Sequence, residues 1–373
     1  MQSLFLTRTR YLNGLVCPKM LWLRVNGRDT FGESPIRPQA VENSRSVQAL
    51  ARTLFDPVYM MEHGEYAAME AQTAELMKAL RQENEKEKKN RTIAHAVLSV
   101  RDCHCIIDFL VLLPDGAAEI YMVKGAMHVN AAAREDLAYQ YTVSVMAGLK
   151  VKKAAVLTVS RDYVCTEGST DASAFFREID LTGEMKKKTD SVRETIAKLR
   201  IYMQQEREPV RAPSEGCFSP YDCPAFPYCG RFLPEPNVFQ LSATQLADKM
   251  RLYGQGYVSF EDLAGGRKDP DDDDLSAVPG LSASARLQIL CELQKRPLHA
   301  DRGAVREFLS TLWEPLYFLD FEAFQPLVPK YPGTRPFDTI VFQYSAHAED
   351  TLVHSEFLGD PASDPRRALA EKL

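Results

Sequence analysis

The sequence predicts an α/β protein built on a mixed sheet, and three features of its first half support that prediction. Apolar runs of strand length are followed by an amphipathic helix and then by another apolar run, an order that forms the core of α/β folds. A Pro114-Asp115-Gly116 turn predicts a hairpin inside the run of strands. The predicted strands cover residues 92–100, 104–113, 118–124 and 152–160, and the helix covers 131–147.

The remaining elements of the first half are predicted helices and one irregular loop. The segment LTRTRYLNGLVCPKMLWL predicts a helix that is interrupted near Cys17-Pro18, because proline removes a backbone donor. The stretch RQENEKEKKN predicts a solvated helix end rather than a binding site. Further helices are expected at residues 41–55, from 67 onward and at 184–205, and a Pro- and Cys-rich loop at 208–236.

The bulk composition excludes some classes of protein. Hydrophobic residues make up 45% and charged residues 26% of the 373 positions, which is ordinary for a globular protein. The net charge of −6 argues against coating nucleic acid by bulk charge but leaves room for a local basic groove. We see no secretory signal and no run of about 18 apolar residues, so no membrane span and a cytoplasmic location are expected. There, clustered cysteines are expected to be metal or cluster ligands.

Three cysteines form an evenly spaced ladder in the segment CFSPYDCPAFPYC. Cys217, Cys223 and Cys229 follow a C-x5-C-x5-C pattern, whereas structural zinc sites use closer pairs and often histidine. Soft thiolates with one distant partner suit an iron–sulfur cluster of the 4Fe-4S type, and Cys17 is the candidate fourth ligand because it also precedes a proline. Such a cluster would act first as a structural clasp. The alternative is that these are ordinary loop cysteines.

The other four cysteines are interpreted as buried small apolar residues, namely Cys103, Cys105, Cys165 and Cys291.

The predicted secondary structure changes after Asn237. Residues 242–312 are predicted to be helical, with the acidic run DPDDDD at 269–274 as a flexible loop. The Pro279-Gly280 turn between two helices suggests a helix-hairpin-helix element, whose backbone amides approach a DNA phosphate, although a plain connection fits equally well. Strands are then expected at residues 315–322, 339–347 and 351–358, followed by the start of a helix.

Together, these motifs resemble a known family. One early cysteine and a late cysteine triad that flank a strand hairpin and a helix look like the cluster-bearing PD-(D/E)XK nucleases, which include the CRISPR-associated RecB-like exonucleases. The motifs that carry the resemblance are CPKMLWL, CIIDFLVLL, EIYMVKGAM, DLAYQYTVSVMAGL and CFSPYDCPAFPYC. The resemblance covers the first part of the chain and implies a restriction-endonuclease-like domain over residues 1–236. The sequence after it predicts a helical linker domain over 237–312 and an incomplete further domain over 313–373.

The resemblance also implies a metal-dependent site around Asp108. This carboxylate lies inside an apolar strand, where it is costly unless it is paired or metal-bound, so it is a candidate ligand of Mg²⁺ or Mn²⁺ on physical grounds as well. In the family, Lys124 would orient the attacking water and Gln140 would support the site. Asp136 lies one turn before Gln140 on the same helix face. Alternatively, Asp108 is a structural acid paired with Lys124, and the two helix residues lie on a polar surface.

Two positions depart from the family pattern. Met122 occupies the position of the second metal-binding acid, and Glu119 lies on the opposite strand face from Lys124. Ser44-Arg45 replaces a Gly-His pair whose histidine can join the metal site, and arginine cannot bind a cation.

A second acid pair lies in the carboxy-terminal segment EPLYFLDFEAF. Asp320 and Glu322 face the same side of a predicted strand and look like the first motif of DnaQ-like exonucleases of the RNase H fold, where such a pair holds two metal ions. The further acids that such a site needs do not occur, so we expect this second site to be inert.

Two functions therefore remain open. One is a metal-dependent exonuclease-type phosphodiesterase that acts on single-stranded DNA or DNA ends. The other is a catalytically decayed, cluster-stabilised DNA-binding or adaptor protein, which the two departures favour. A redox sensor is the third interpretation, but no flavin or NAD motif accompanies the cysteines.

Overall fold

A computed structural model describes most of the chain. It covers residues 5–27, 38–55, 57–61, 64–166, 170–219, 222–267, 271–296, 299–349 and 353–373. Contacts divide these residues into two compact units, and each is described by itself. The first unit contains residues 5–26, 38–208 and 317–373, and the second contains residues 27 and 209–316, within the described ranges.

The chain begins with a short strand and two consecutive helices. Strand β1 (Leu6–Thr7) leads into α1 (Arg8–Val16), which Thr7 caps by accepting a hydrogen bond from the backbone N–H of Arg10. Cys17 ends α1 and begins α2 (Pro18–Val25) in an extended conformation. Because Pro18 lacks an N–H and is favoured in the first helical turn, the predicted interruption is confirmed.

The main sheet of the first unit is mixed, as predicted. The next elements of the chain are α3 (Pro38–Arg52), β2 (Val58–Met60), α4 (Tyr66–Glu87), β3 (Arg91–Val100), β4 (Cys103–Leu112), β5 (Ala118–Val123), α5 (Ala131–Met146), β6 (Val151–Val159), α6 (Ala172–Phe175), β7 (Phe176–Asp180) and α7 (Thr182–Met203). The strands of the sheet run in the order β2-β3-β4-β5-β6-β7, and β1 pairs with β4 in parallel. Strands β3 to β5 form an antiparallel meander, and α5 carries the chain to β6, which is parallel to β5.

The sheet buries both of its faces. On one face, α5 and α7 pack against apolar side chains of the central strands, and Leu137 and Leu199 are among the buried residues. On the other face, Val47 of α3 joins a second cluster with Phe109 and Tyr121. This double burial explains why β4 and β5 are nearly continuous apolar runs, as strands covered on both faces usually are.

The second unit is helical apart from its cysteine-rich loop. A 3-10 turn (Glu215–Cys217) and α8 (Phe226–Cys229) lie in that loop, and another 3-10 turn (Val238–Gln240) follows. Stacked aromatic rings attach the loop to the helical core, with Phe218 4.8 Å from Phe239 between ring centroids. The remaining helices are α9 (Leu246–Gly254), α10 (Phe260–Leu263), α11 (Asp272–Ser276), α12 (Ala283–Leu293) and α13 (Arg302–Ser310).

The acidic run at 269–274 is not the flexible loop that was predicted. Residues 269 and 270 lie outside the described residues, but Asp271 caps α11 by accepting the backbone N–H of Asp274 at 2.9 Å, and Asp274 accepts the N–H of Asp271 in return. Negative charge at a helix N-terminus is stabilised by the helix dipole and by its unpaired N–H groups. The acids therefore start a helix.

The final segment forms a small sheet that belongs to the first unit. Strands β8 (Tyr317–Phe324), β9 (Ile340–Ala348) and β10 (His354–Leu358) are antiparallel in the order β10-β9-β8, and α14 (Pro365–Lys372) packs on β9. All three strands and the following helix were predicted. None of the helices in the described ranges combines the length and apolar character needed to span a membrane.

Candidate functional site

Asp108 is a buried carboxylate near the centre of β4. It is 8% exposed, and its Oδ2 accepts a hydrogen bond from the backbone N–H of Val123 at 2.8 Å. Burial raises the pKa of Asp108, and the Val123 hydrogen bond and the nearby charges of Arg8 and Lys124 offset part of that rise. Asp108 therefore lies inside an apolar strand, as predicted, and its carboxylate is hydrogen-bonded to the backbone of β5.

Strand β5 places Met122 and Lys124 on the same face, because side chains alternate along a strand. Phe109 pairs with Tyr121 in the β4–β5 ladder, so the preceding residue, Asp108, lies beside Met122. Met122 is fully buried, and its sulfur is 3.6 Å from Nε2 of Gln140. The position of the second family acid is therefore occupied by a packed thioether, which is a poor ligand for Mg²⁺.

Glu119 has another role, as its position on the opposite strand face suggested. Its carboxylate accepts a hydrogen bond from the hydroxyl of Tyr121 at 2.7 Å.

Asp136 and Gln140 of α5 complete this buried polar group. The amide Nε2 of Gln140 donates to Oδ1 of Asp136 at 2.8 Å, one helical turn away, and both residues are buried. The alternative of a polar helix surface is therefore wrong for this pair. Lys124 forms an ion pair with Asp136, at 3.0 Å, and not with Asp108 as the alternative interpretation of Asp108 expected.

Arg8 is a site residue that the sequence did not reveal. Its Nε is 3.4 Å from Oδ1 of Asp136, so this carboxylate is held by two cations. The Asp136 side chain is 3% exposed, whereas Arg8 is 37% and Lys124 30% exposed. Both cations therefore lie between a buried acid and solvent. A basic residue in the first turn of the first helix was the only local signal, because the contact joins positions 128 residues apart.

These side chains open into a pocket of about 400 Å³. Of the described residues that line it, Asp108 is the single carboxylate, and Arg8 and Lys124 are the cations. Ser44 also lines the pocket, whereas the neighbouring Arg45 is exposed. The other polar residues of the lining come from α3, namely Asn43 and Gln48.

The donor set does not fit a resident Mg²⁺ or Mn²⁺ ion. Such ions are held by several oxygen ligands, and one or two carboxylates are the usual protein contribution. Asp136 is neutralised by two cations, and Met122 offers no oxygen. Within the described ranges, no group of three or more His, Cys, Asp or Glu side chains is arranged to hold a metal ion.

The second predicted acid pair lies on the small sheet. Asp320 and Glu322 both occupy β8, two residues apart and exposed, so they face the same side as predicted. Across that face, Asp320 pairs with Ser345, which pairs with Glu356. His347 and His354 stack beside this row with their ring centroids 4.3 Å apart, a feature that the sequence did not indicate.

The predicted cluster ligands occur in both units. Cys17 joins α1 to α2 and is half-buried, and its backbone N–H donates to the carbonyl of Asn13 at 2.8 Å. In the second unit, Cys217 ends a 3-10 turn, Cys223 is buried and Cys229 ends α8.

One backbone hydrogen bond ties two members of the triad together. The N–H of Cys223 donates to the carbonyl of Cys217 at 2.8 Å, and the Cys217 sulfur accepts from the backbone of Ser214 at 3.5 Å. The three thiols lie on one loop, but within the part of that loop that the structure describes they do not form a group arranged to hold a metal ion. Their chemistry as soft donors, rather than their geometry, supports the predicted 4Fe-4S cluster.

The other cysteines lie as predicted, with one exception. Cys103, Cys105 and Cys165 are buried, and burial raises the pKa of the Cys103 thiol to about 11. Cys291 on α12 is only half-buried.

The predicted Pro-Gly turn connects α11 to α12 and contacts α9. Gly280 has a φ of +85°, and a Cβ there would lie 2.4 Å from Nη2 of Arg251. That guanidinium donates to the carbonyl of Pro279 at 2.5 Å. Only glycine fits this position, because the backbone conformation is left-handed and the neighbouring side chain is in contact.

Comparison with known proteins bears on the final segment alone. Residues 317–373, which form the small sheet and α14, match the family DUF2779, described as a domain of unknown function. No curated protein matches the chain. The chain is therefore similar to this family over its last 57 residues, the part that supplies β8 to α14.

Proposed function

We propose that this protein binds single-stranded DNA or DNA ends through a PD-(D/E)XK-like, RecB-like domain whose catalytic metal site has decayed. The order of its elements supports the kinship: an antiparallel meander, a helix and a parallel strand surround a buried acid and a lysine. In this proposal, the pocket holds a DNA phosphate with Arg8 and Lys124, and the phosphodiester is not hydrolysed there.

The observation that carries the proposal is the double ion pair on Asp136. A nuclease site of this kind needs carboxylates facing a divalent ion, but here two fixed cations take up that charge and Met122 fills the neighbouring position. Arginine has five N–H donors and lysine three, and each ion pair involves one nitrogen. The remaining donors can reach a phosphate in the pocket, where charge-assisted hydrogen bonds are strong.

A binding assay with paired cleavage readout tests the proposal. Protein purified without oxygen is titrated onto labelled single-stranded DNA with EDTA, Mg²⁺ or Mn²⁺ at several salt concentrations. Arg8→Ala and Lys124→Ala are each expected to weaken binding by roughly tenfold, since a hydrogen bond to a charged group contributes about 1.5–3 kcal/mol. Each should also lower the salt slope by about 1.

Matched controls come from the exposed face of α7. Lys187 and Arg193 are exposed, and their alanine variants are expected to bind like the parent protein. Equal affinity in all four variants would refute the assignment of the pocket.

An active nuclease is the second candidate, and one observation favours it. Asp136 brings a carboxylate from α5 to within 3.0 Å of Lys124, so it can replace the acid that Met122 lacks if Arg8 and Lys124 move to the substrate. Cleavage that requires Mn²⁺ and disappears in both Asp108→Ala and Asp136→Ala would establish this function. Binding without cleavage supports the decayed site.

The two remaining sequence assignments have a supporting role. The meander of β8 to β10 fits the opening of a DnaQ-like, RNase H-like domain, in which Asp320 and Glu322 would be the first acids. The proposed 4Fe-4S cluster, with Cys17, Cys217, Cys223 and Cys229 as ligands, would stabilise the fold rather than take part in binding.

A further inference from the structure

The pocket around Asp108 has one wall that comes from the segment matched by DUF2779. This wall, residues 325–339, joins β8 to β9. Its Leu327 is 2% exposed and belongs to the same apolar cluster as Val47 and Val123. A Cβ on Gly125 would lie 2.5 Å from Cδ2 of Leu327, so the absence of a side chain at Gly125 lets the wall approach the end of β5.

The wall is held at several points along its length. The backbone N–H of Leu327 lies 3.4 Å from Oδ1 of Asn43, which lines the pocket. Further along, Cys165 forms two backbone hydrogen bonds with the wall, donating to the carbonyl of Thr334 at 2.9 Å and accepting from the N–H of Gly333 at 2.8 Å. The wall is therefore attached to α3 and to the loop after β6.

Phe337 projects from this wall into the pocket lining. Its backbone has a φ of +66°, an unfavourable conformation for a residue with a bulky side chain, and its N–H donates to the carbonyl of Pro326 at 3.1 Å. Phe337 is 37% exposed and lines the same pocket as Arg8 and Lys124. Strained residues persist where the surrounding structure holds them, and they concentrate at ligand sites.

The combination of one aromatic face, two cations and several amide and hydroxyl groups matches the parts of a nucleotide. Aromatic side chains bind single-stranded nucleic acid by stacking on bases, and lysine and arginine bind the backbone. Asn43, Ser44 and Gln48 supply hydrogen-bonding groups between these two regions. A pocket of about 400 Å³ lies within the size range of small-molecule sites and is too small for a duplex.

We propose that the pocket takes one terminal nucleotide of a DNA single strand, with its base stacked on Phe337 and its phosphate between Arg8 and Lys124. This inference rests on the proposed function and adds the base-binding wall to it. It gives the DUF2779 segment a role, because the wall completes a pocket whose floor lies on the main sheet. Leu327 packs the wall against the end of β5, and the hydrogen bond from the N–H of Phe337 to the carbonyl of Pro326 joins Phe337 to that part of the wall.

The test measures binding of the full chain to short oligonucleotides by fluorescence anisotropy. The strands are identical except for one abasic residue, placed in turn at each position from either end. Phe337→Ala is expected to weaken binding of the intact strand by about tenfold, because stacking contributes about 1–3 kcal/mol per base. It should not change the affinity for the strand whose abasic residue is at the bound terminus. Phe337→Tyr should bind like the parent, because tyrosine retains the aromatic face.

Controls separate this inference from the proposed function. Phe308→Ala removes an exposed phenylalanine from α13 and should leave affinity unchanged. If Arg8→Ala and Lys124→Ala weaken binding but Phe337→Ala and Phe337→Leu do not, the stacking role is wrong and the phosphate site stands. If none of these variants changes affinity, both proposals are wrong.

A competition experiment and a second Phe337 variant complete the test. Competition with a free mononucleotide and with inorganic phosphate distinguishes a strand end from a small ligand, and equal competition by the two would overturn the base-binding role. Phe337→Leu retains apolar volume without an aromatic face, so it decides the case if Phe337→Ala does not fold. An affinity loss that is the same for intact and abasic strands would mean that Phe337 supports structure only.

Discussion

A buried acid beside two partly exposed cations is the residue-scale feature on which the proposed function depends. Asp136 accepts contacts from Arg8, Lys124 and Gln140, whereas Asp108 is satisfied through a backbone N–H of β5. Removing a single partner from such a group leaves another without compensation, which costs more than the intact interaction contributes. The two carboxylates should therefore respond differently to substitution.

The raised pKa of Asp108 predicts how the stability of the fold depends on pH. Burial raises this pKa above its value of about 3.9 in the unfolded chain. Between the unfolded and folded pKa values, the folded state therefore binds more protons than the unfolded state. The contribution of Asp108 to stability therefore decreases as pH rises from about 4 to its folded-state pKa, and the cost stays in full above it.

Asp108→Asn is expected to raise the thermal midpoint at pH 8 but not at pH 4. The amide oxygen can still accept the Val123 N–H, and the penalty of a buried charge disappears. A rise of roughly 2–4 °C corresponds to about 1 kcal/mol in a unit of this size. Thermal unfolding followed by circular dichroism at both pH values checks this. A variant that is less stable at pH 8 would show that the carboxylate is stabilised there by a partner or a bound ion.

Met122→Glu tests the proposal that a metal site has decayed at this position. The new carboxylate would lie beside Asp108, where burial and like charge destabilise the fold by about 1–3 kcal/mol without metal. Mn²⁺ at 100 times its dissociation constant should return about 2.7 kcal/mol. Thermal unfolding with and without Mn²⁺ measures both effects.

The matched control for this restoration is Met122→Gln, which has the same size and no charge. It should show no gain from Mn²⁺. An equal response to Mn²⁺ in the two variants would place the metal elsewhere and count against the proposed position of the lost acid.

At the scale of elements, the wall between β8 and β9 depends on a glycine at the end of β5. Gly125→Ala would place a methyl group 2.5 Å from Leu327, so we expect a loss of about 1–3 kcal/mol from overpacking. Urea unfolding measures this loss. Gly183→Ala on α7 is the control, because nothing lies within 4 Å of a Cβ there, and it should cause no loss of stability, since alanine is favoured over glycine in a helix.

A double-mutant cycle identifies the contact responsible. In a Leu327→Ala background, Gly125→Ala should cost less than about 0.5 kcal/mol, because the clashing side chain is absent. If the cost is the same in both backgrounds, Leu327 does not clash with a side chain at position 125. The proposed position of the wall, and of Phe337 on it, would then lack support.

The elements that the sequence predicted are those with long, regular patterns. Strands β3 to β6 and helix α5 are each at least six residues long, and all were predicted. Helix α5 is nevertheless buried continuously from Asp136 to Ser144, rather than on one face as the predicted amphipathic helix would be. The short strands β1, β2 and β7 have two to five residues and were missed, because a pattern of that length carries little information. Helix α11 was missed because its capping acids look like a solvated charge run.

The site residues were predicted on two different grounds. Asp108 was predicted because a charge inside an apolar strand is unusual, whereas Lys124 and Gln140 were predicted from the family motifs that the sequence resembles. Arg8 and Phe337 have no such local signal, since each reaches the pocket through contacts between distant segments. The pairing of Lys124 with Asp136, rather than Asp108, depends on how α5 packs on the sheet.

At the scale of the whole molecule, the predicted cluster assigns ligands to both units. Protein prepared without oxygen is expected to contain about four iron and four sulfide per chain and to absorb in the visible blue. Cys17→Ser and Cys223→Ser should each lose most of the iron, because a thiolate is a far better ligand than a hydroxyl. Cys291→Ser, a half-buried cysteine on α12, is the control and should retain it.

Loss of the cluster should also lower the thermal stability of the protein, because metal-binding energy contributes to folding energy. Iron chelation is therefore expected to lower the thermal midpoint of the parent protein and of Cys291→Ser, but to have no effect on Cys17→Ser. Zinc in place of iron would contradict the cluster. Iron that survives Cys17→Ser but not Cys223→Ser would keep a metal on the loop and remove its amino-terminal ligand, and with it the strongest sequence argument for kinship with the RecB-like nucleases.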